Sequence, residues 1–147
     1  FEIFETRRLI ELHLLESAVS RVTAFDIATL EGILAKKQEA MDTENSANVT
    51  RLSGEFHLQL ASVSRHQTLL GVLQPLIYKS YLAITLYQKG AFATRAQHAH
   101  VQIVKHLTLR DVSALRSQMV LHFEHVFGEM DFSDNDPPSR FDQFLNE

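Results

Sequence analysis

Apolar residues recur at three- and four-residue steps along almost the whole chain, which predicts amphipathic helices and leaves no strand-like alternation. The clearest stripe is Leu52, Phe56, Leu60 and Val63, the inner face of a helix over about 47–64. An earlier helix is expected over about 2–22, apolar on two sides: Ile3, Ile10 and Leu14 on one, Phe4, Leu15, Ala18, Val19 and Val22 on the other. Arg7 falls between Ile3 and Ile10, while Arg8 and Glu11 read as neighbours on the second side. Thr23-Ala24-Phe25-Asp26 is a capping-box-like start to a second helix with Ile27, Leu30, Leu34 and Met41 inward. Lys36, Lys37 and Glu39 read as its solvated face, and 42–48 as a turn.

After a break at 64–68, in which His66 reads as a cap or turn residue, a helix over about 69–87 is apolar almost all round. It is expected to be the central, most buried helix, kinked at Pro75 and closed by Lys89-Gly90. Its polar members Tyr78, Lys79, Ser80 and Thr85, together with Tyr81, need partners. A fifth helix, about 94–107, has the stripe His100, Ile103, Val104 and Leu107. Asp111 is placed to cap a sixth, about 112–130, striped by Leu115, Met119, His122, Phe123 and Val126. The polar, Pro-containing stretch 133–139 reads as a flexible tail, so the ordered domain is expected to be 1–131 and the tail 132–147.

His57, His100 and His122 therefore lie on the apolar stripes of three different helices. A single inward histidine is ordinarily a hydrogen-bonded core residue. Three of them, each needing polar partners, also fit one divalent cation with open positions for water or a ligand. Ser53, one turn before His57, can add a weak ligand directly or through water. Spacing alone leaves both readings open. With the cation, an enzyme would need a general acid or base, and no carboxylate is found on the inward stripes. A sensor would instead receive a small carboxylate at the open positions, and Arg7 would pair with its charge. A bundle in which the histidines only pack is the third reading.

Composition narrows these classes. The 147 residues are 45% hydrophobic and 22% charged, ordinary for one globular domain. A net charge of −4 with scattered basic residues argues against a broad nucleic-acid face. There is no cysteine, which excludes disulfides, thiolate ligands and a cysteine nucleophile, and fits a cytoplasmic location. No apolar run reads as long enough for a membrane span. The chain begins at Phe1, without Met, and reads as part of a longer protein.

Several motifs stand in the order and spacing of one family: Thr6-Arg7-Arg8-Leu9-Ile10-Glu11, Phe56-His57, Ala99-His100-Val101-Gln102-Ile103, Arg110-Asp111, and Met119-Val120-Leu121-His122-Phe123. Over about residues 1–131 the chain resembles the FCD domain, the C-terminal effector-binding domain of FadR-subfamily GntR transcription regulators. The resemblance implies an all-α antiparallel bundle of six or seven helices, a homodimer, and a DNA-binding winged helix-turn-helix that precedes this stretch. Many members bind a divalent metal through an Asp or Asn and three histidines, which carry over to His57, His100 and His122. The Asp/Asn position falls on Ser53, a departure that removes a hard oxygen ligand and favours zinc, or nickel, over manganese. The helix-one arginine that often contacts the effector carboxylate carries over to Arg7; Tyr78 and Tyr81 of the fourth helix are read from the sequence as candidate effector contacts, outside the family pattern. The implied protein is a ligand-responsive regulator, not an enzyme.

Overall fold

In the computed structural model, described over residues 2–87 and 92–130, six helices follow one another: α1 (Glu2–Arg21), α2 (Ala24–Asp42), α3 (Ser46–Val63), α4 (Gln67–Tyr87), α5 (Phe92–Thr108) and α6 (Val112–Gly128). The all-helical bundle expected from periodicity is the fold observed. The expected tail beyond 131 and the Lys89-Gly90 helix end lie outside the described residues.

The helix ends form where local chemistry demands. Thr23 and Asp26 make a reciprocal capping box at the start of α2. Arg65, in the left-handed region after α3, reaches both oxygens of Asp26 at 2.9 Å and ties that turn to α2. His66 Nδ1 accepts the Leu69 N–H at the start of α4, the cap role its position suggested. Asp111 caps α6 by accepting from Ala114 N–H at 2.9 Å. Arg110, also left-handed, donates to the carbonyls of Val19 and Val22, satisfying the end of α1 from the far side of the bundle.

The main core joins Leu15 of α1, Leu30 and Leu34 of α2, Leu52, Phe56 and Leu60 of α3, Ile103 and Leu107 of α5, and Leu115, Met119 and Phe123 of α6. A smaller cluster of Leu14, Ala61, Leu73 and Ile77 holds α4 against α1 and α3.

Three expectations fail here. The fourth helix is not the central one: it buries only Leu73, Ile77, Ser80 and Ile84, and leaves Val72, Tyr78 and Leu82 about half exposed. An all-round apolar pattern reports how much surface a helix could bury, not that its own chain buries it. Its 21 residues are also long and apolar enough, by length and composition, to cross a membrane, contrary to the sequence reading. The packing of Leu73 and Ile77 against α1 and α3 is that of a bundle helix. The third failure is Lys37, which is fully buried and not on a solvated face.

Candidate metal centre

Helix α3 brings His57, α5 brings His100 and α6 brings His122 to one buried point. His57 Nε2 and His122 Nε2 are 3.1 Å apart, and His100 Nε2 is 3.3 Å from His122 Nε2. One nitrogen from each ring lies within 4.8 Å of the others. Phe56, next to His57 on α3, stacks on the His100 ring at a centroid distance of 4.2 Å and fixes its plane.

Burial favours the neutral imidazole at all three positions, the form a metal ligand requires. Burial pushes all three pKa values below the ordinary histidine value. At His57 the neighbouring Glu11 opposes that shift without reversing it. At His100 the nearby Lys37 and the other two rings add to it.

The groups behind the rings differ. His57 Nδ1 meets Glu11 Oε2 at 2.5 Å. The other oxygen of Glu11 accepts from Arg7 Nε, also at 2.5 Å, and all three side chains are at most 3% exposed. Burial raises the Glu11 pKa, but the Arg7 charge and the hydrogen bonds from His57 and Arg7 oppose it, and the carboxyl ends below its ordinary value. Behind His100, Lys37 Nζ lies 3.3 Å from Nδ1, and burial has pushed the lysine down to about 7.

Glu11 corrects the reading that no carboxylate stands on an inward stripe. It was paired with Arg8, three residues back, where the fold pairs it with Arg7, four residues back on the same face. Lys37 was missed because adjacent lysines look solvated. Yet it lies seven residues after Leu30, three after Leu34 and four before Met41, squarely on the inner stripe.

In front of the rings is a cavity of about 300 Å³. Its polar lining includes Arg7, Ser53, His57, Tyr81, His100 and His122 as well as Glu44, Thr50 and Thr94, and Val49, Ile84, Phe123 and Val126 are among its apolar lining. Ser53 donates its hydroxyl to the Val49 carbonyl at 2.9 Å, which leaves oxygen lone pairs for a cation or a water. The Arg7 guanidinium lies 5.3 Å from the Phe123 ring centroid, which supports it from behind. Tyr81 lines the cavity, whereas Tyr78 stands on the outer side of α4, where it accepts from Gln74 and lines an outer groove that Tyr81 also borders. Among the described residues the buried Tyr81 hydroxyl has no hydrogen-bond partner.

The donor set fits a zinc-like cation. Nitrogen donors about 2.0–2.1 Å from a tetrahedral centre are separated by roughly 3.3 Å, close to the His57–His122 and His100–His122 separations, and all three donors lie within 4.8 Å of one another. A cation accepting three lone pairs also resolves the crowding of three Nε2 atoms, which no set of tautomers can pair completely. The open coordination positions would face the cavity.

The comparisons with known proteins agree with this architecture. The FCD domain family matches residues 2–125. An Uxu operon regulator of Haemophilus influenzae is 26% identical over 152 aligned positions, taking in 99% of this chain and 56% of the relative. Among solved structures, Streptococcus agalactiae GntR superposes with a TM-score of 0.72 at 25% identity, over 85% of this chain and 56% of that one. E. coli McbR/YncC superposes with a TM-score of 0.73 at 20% identity, over 86% of this chain and 61% of its own, and supports the fold. The chain thus spans a little over half the length of these relatives. It belongs to the FCD domain family of GntR-type regulators, as the histidine and arginine motifs of its sequence implied.

Proposed function

We propose that this chain is the ligand-sensing domain of a bacterial GntR/FadR-type transcription regulator. It binds a small organic acid at a divalent cation held by His57, His100 and His122, with Ser53 contributing directly or through water. Zinc is the favoured cation, and nickel is the alternative. The observation that carries this reading is the convergence of the three imidazoles, the Arg7 guanidinium and the unpartnered Tyr81 hydroxyl on one small cavity. A cation supplies a Lewis-acidic anchor for one carboxylate oxygen. Arg7 supplies a charge-assisted hydrogen bond to the same anion, and Tyr81 supplies a neutral donor. The cavity lies at the small end of ligand sites, which suits a compact acid.

On this reading the DNA-binding part of the regulator lies outside this chain, which takes in 56% of the Uxu operon regulator that it matches. Ligand binding shifts the population between two arrangements of paired sensing domains and thereby changes how the DNA-binding parts meet an operator. Pairing is proposed to use the outer side of α4, where Val72 and Leu82 are about half exposed on the most apolar helix of the bundle. Sedimentation of the wild-type chain and of Leu82→Glu tests the dimer. A dimer that the substitution dissociates supports it; a monomer in both removes it.

The buried carboxylate behind the rings offers no base for hydrolysis, although an exposed one, Glu44, also lines the cavity. Glu11 has one oxygen on Arg7 and the other on His57, so neither is free to take a proton from water. Calorimetric titration of small carboxylates onto the zinc-loaded chain tests the sensing reading. Binding that requires the metal and weakens in Arg7→Ala supports it. Binding indifferent to both, or turnover of the acid, contradicts it.

A further inference from the structure

The buried Arg7–Glu11–His57 chain is more elaborate than packing requires. Arg7 and Glu11 are one turn apart on α1, and His57 comes from α3, so one carboxylate joins two helices at the edge of the cavity. A neutral imidazole carries its proton on only one nitrogen. Free histidine in water favours the Nε2–H form, which at His57 would put the proton in the midst of the other rings. A carboxylate at Nδ1 reverses that preference, because it accepts only from Nδ1–H. Arg7 holds the carboxylate in place through Nε, its sole hydrogen bond given by the described residues.

Building on the metal reading above, we propose that Glu11 is the positioning residue of this site: it fixes His57 in the Nδ1–H tautomer before any cation arrives, with the Nε2 lone pair directed at His122. Arg7 consequently has a second role besides meeting a ligand anion, which is to hold Glu11 in register with His57. His100 is placed differently. Its Nδ1 faces Lys37 Nζ, and a lysine nitrogen can act as either donor or acceptor according to its protonation, so it does not dictate one tautomer. His57 is thus the preset ligand.

The test uses the metal-free chain and zinc alone. Long-range nitrogen–proton correlation spectra of the chelator-treated protein report the tautomer of each ring. His57 is expected as Nδ1–H in the wild type and as Nε2–H or a mixture in Glu11→Ala. Glu11→Gln, which keeps the size and an accepting oxygen, retains Nδ1–H in large part. Zinc affinity, measured against a chromophoric chelator, is expected to fall about 10- to 100-fold in Glu11→Ala and less in Glu11→Gln. An Nε2–H tautomer at His57 in the metal-free wild type overturns the proposal, and so does an unchanged tautomer in a folded Glu11→Ala. A wild-type chain that binds no zinc but holds His57 as Nδ1–H upholds the role of Glu11 and refutes the metal reading instead. The two ideas therefore fail separately.

Discussion

Gly54 and Tyr81 compete for one space: a β-carbon built on Gly54 coincides with the Tyr81 hydroxyl oxygen. Gly54 lies between Ser53 and His57 on α3, so its missing side chain lets the α4 tyrosine reach the cavity. Gly54→Ala is expected to destabilise the chain by about 1–3 kcal/mol, the scale of overpacking, even though alanine favours a helix. Tyr81→Leu should rescue much of that loss. Urea unfolding of the two single variants and the double variant measures the coupling, and strict additivity would mean that the side chains do not compete.

Tyr81→Phe separates stability from binding. Its hydroxyl is buried and unpartnered, so removing it should leave stability unchanged or raise it by about 1 kcal/mol. Affinity for a carboxylate ligand should fall. Equal ligand affinity with lowered stability would place the hydroxyl in the scaffold and not in the site.

Asp26 gives a pH dependence away from the site. Burial alone would raise its pKa, but hydrogen bonds from Thr23 and Arg65 outweigh that and leave it lowered. A carboxyl with a depressed folded pKa contributes stability above its unfolded pKa of about 3.9 and loses it as pH falls through the folded value. Asp26→Ala should therefore cost about 1–2 kcal/mol near neutrality, the scale of a helix cap. The difference from wild type should shrink below about pH 4. A difference that stays constant into acid would show that the charge contributes nothing.

Arg7→Ala is expected to weaken carboxylate binding by about 1.5–3 kcal/mol, the worth of a hydrogen bond to a charged group. Calorimetry on the zinc-loaded variant checks this, and unaltered affinity would remove Arg7 from the ligand site.

How much of this was legible in the sequence depends on which force places each residue. The three histidines and Arg7 were readable because helical phase alone puts them on apolar stripes. The caps at Thr23, His66 and Asp111 were readable because they depend on neighbours within four residues. Glu11 was not, because Arg7 and Arg8 both stand within one turn of it and only the tertiary partner His57 decides between them. Lys37 was hidden by residue type: a buried lysine is so costly that periodicity was overruled by composition. The place of α4 was misread because an apolar face looks the same whether its own chain or a second molecule covers it. The space that Gly54 leaves for Tyr81 is a contact between two helices, which no local pattern encodes.

Elemental analysis of the purified chain before and after chelator treatment, with a thermal melt in each state, is the most direct test. The expected result is about one equivalent of zinc or nickel, with melting lowered by the chelator and restored by metal, and with no metal retained by His57→Ala or His122→Ala of unchanged helical content. No bound metal and no response to added metal would contradict the three-histidine site and leave a metal-free pocket around Arg7 and Tyr81.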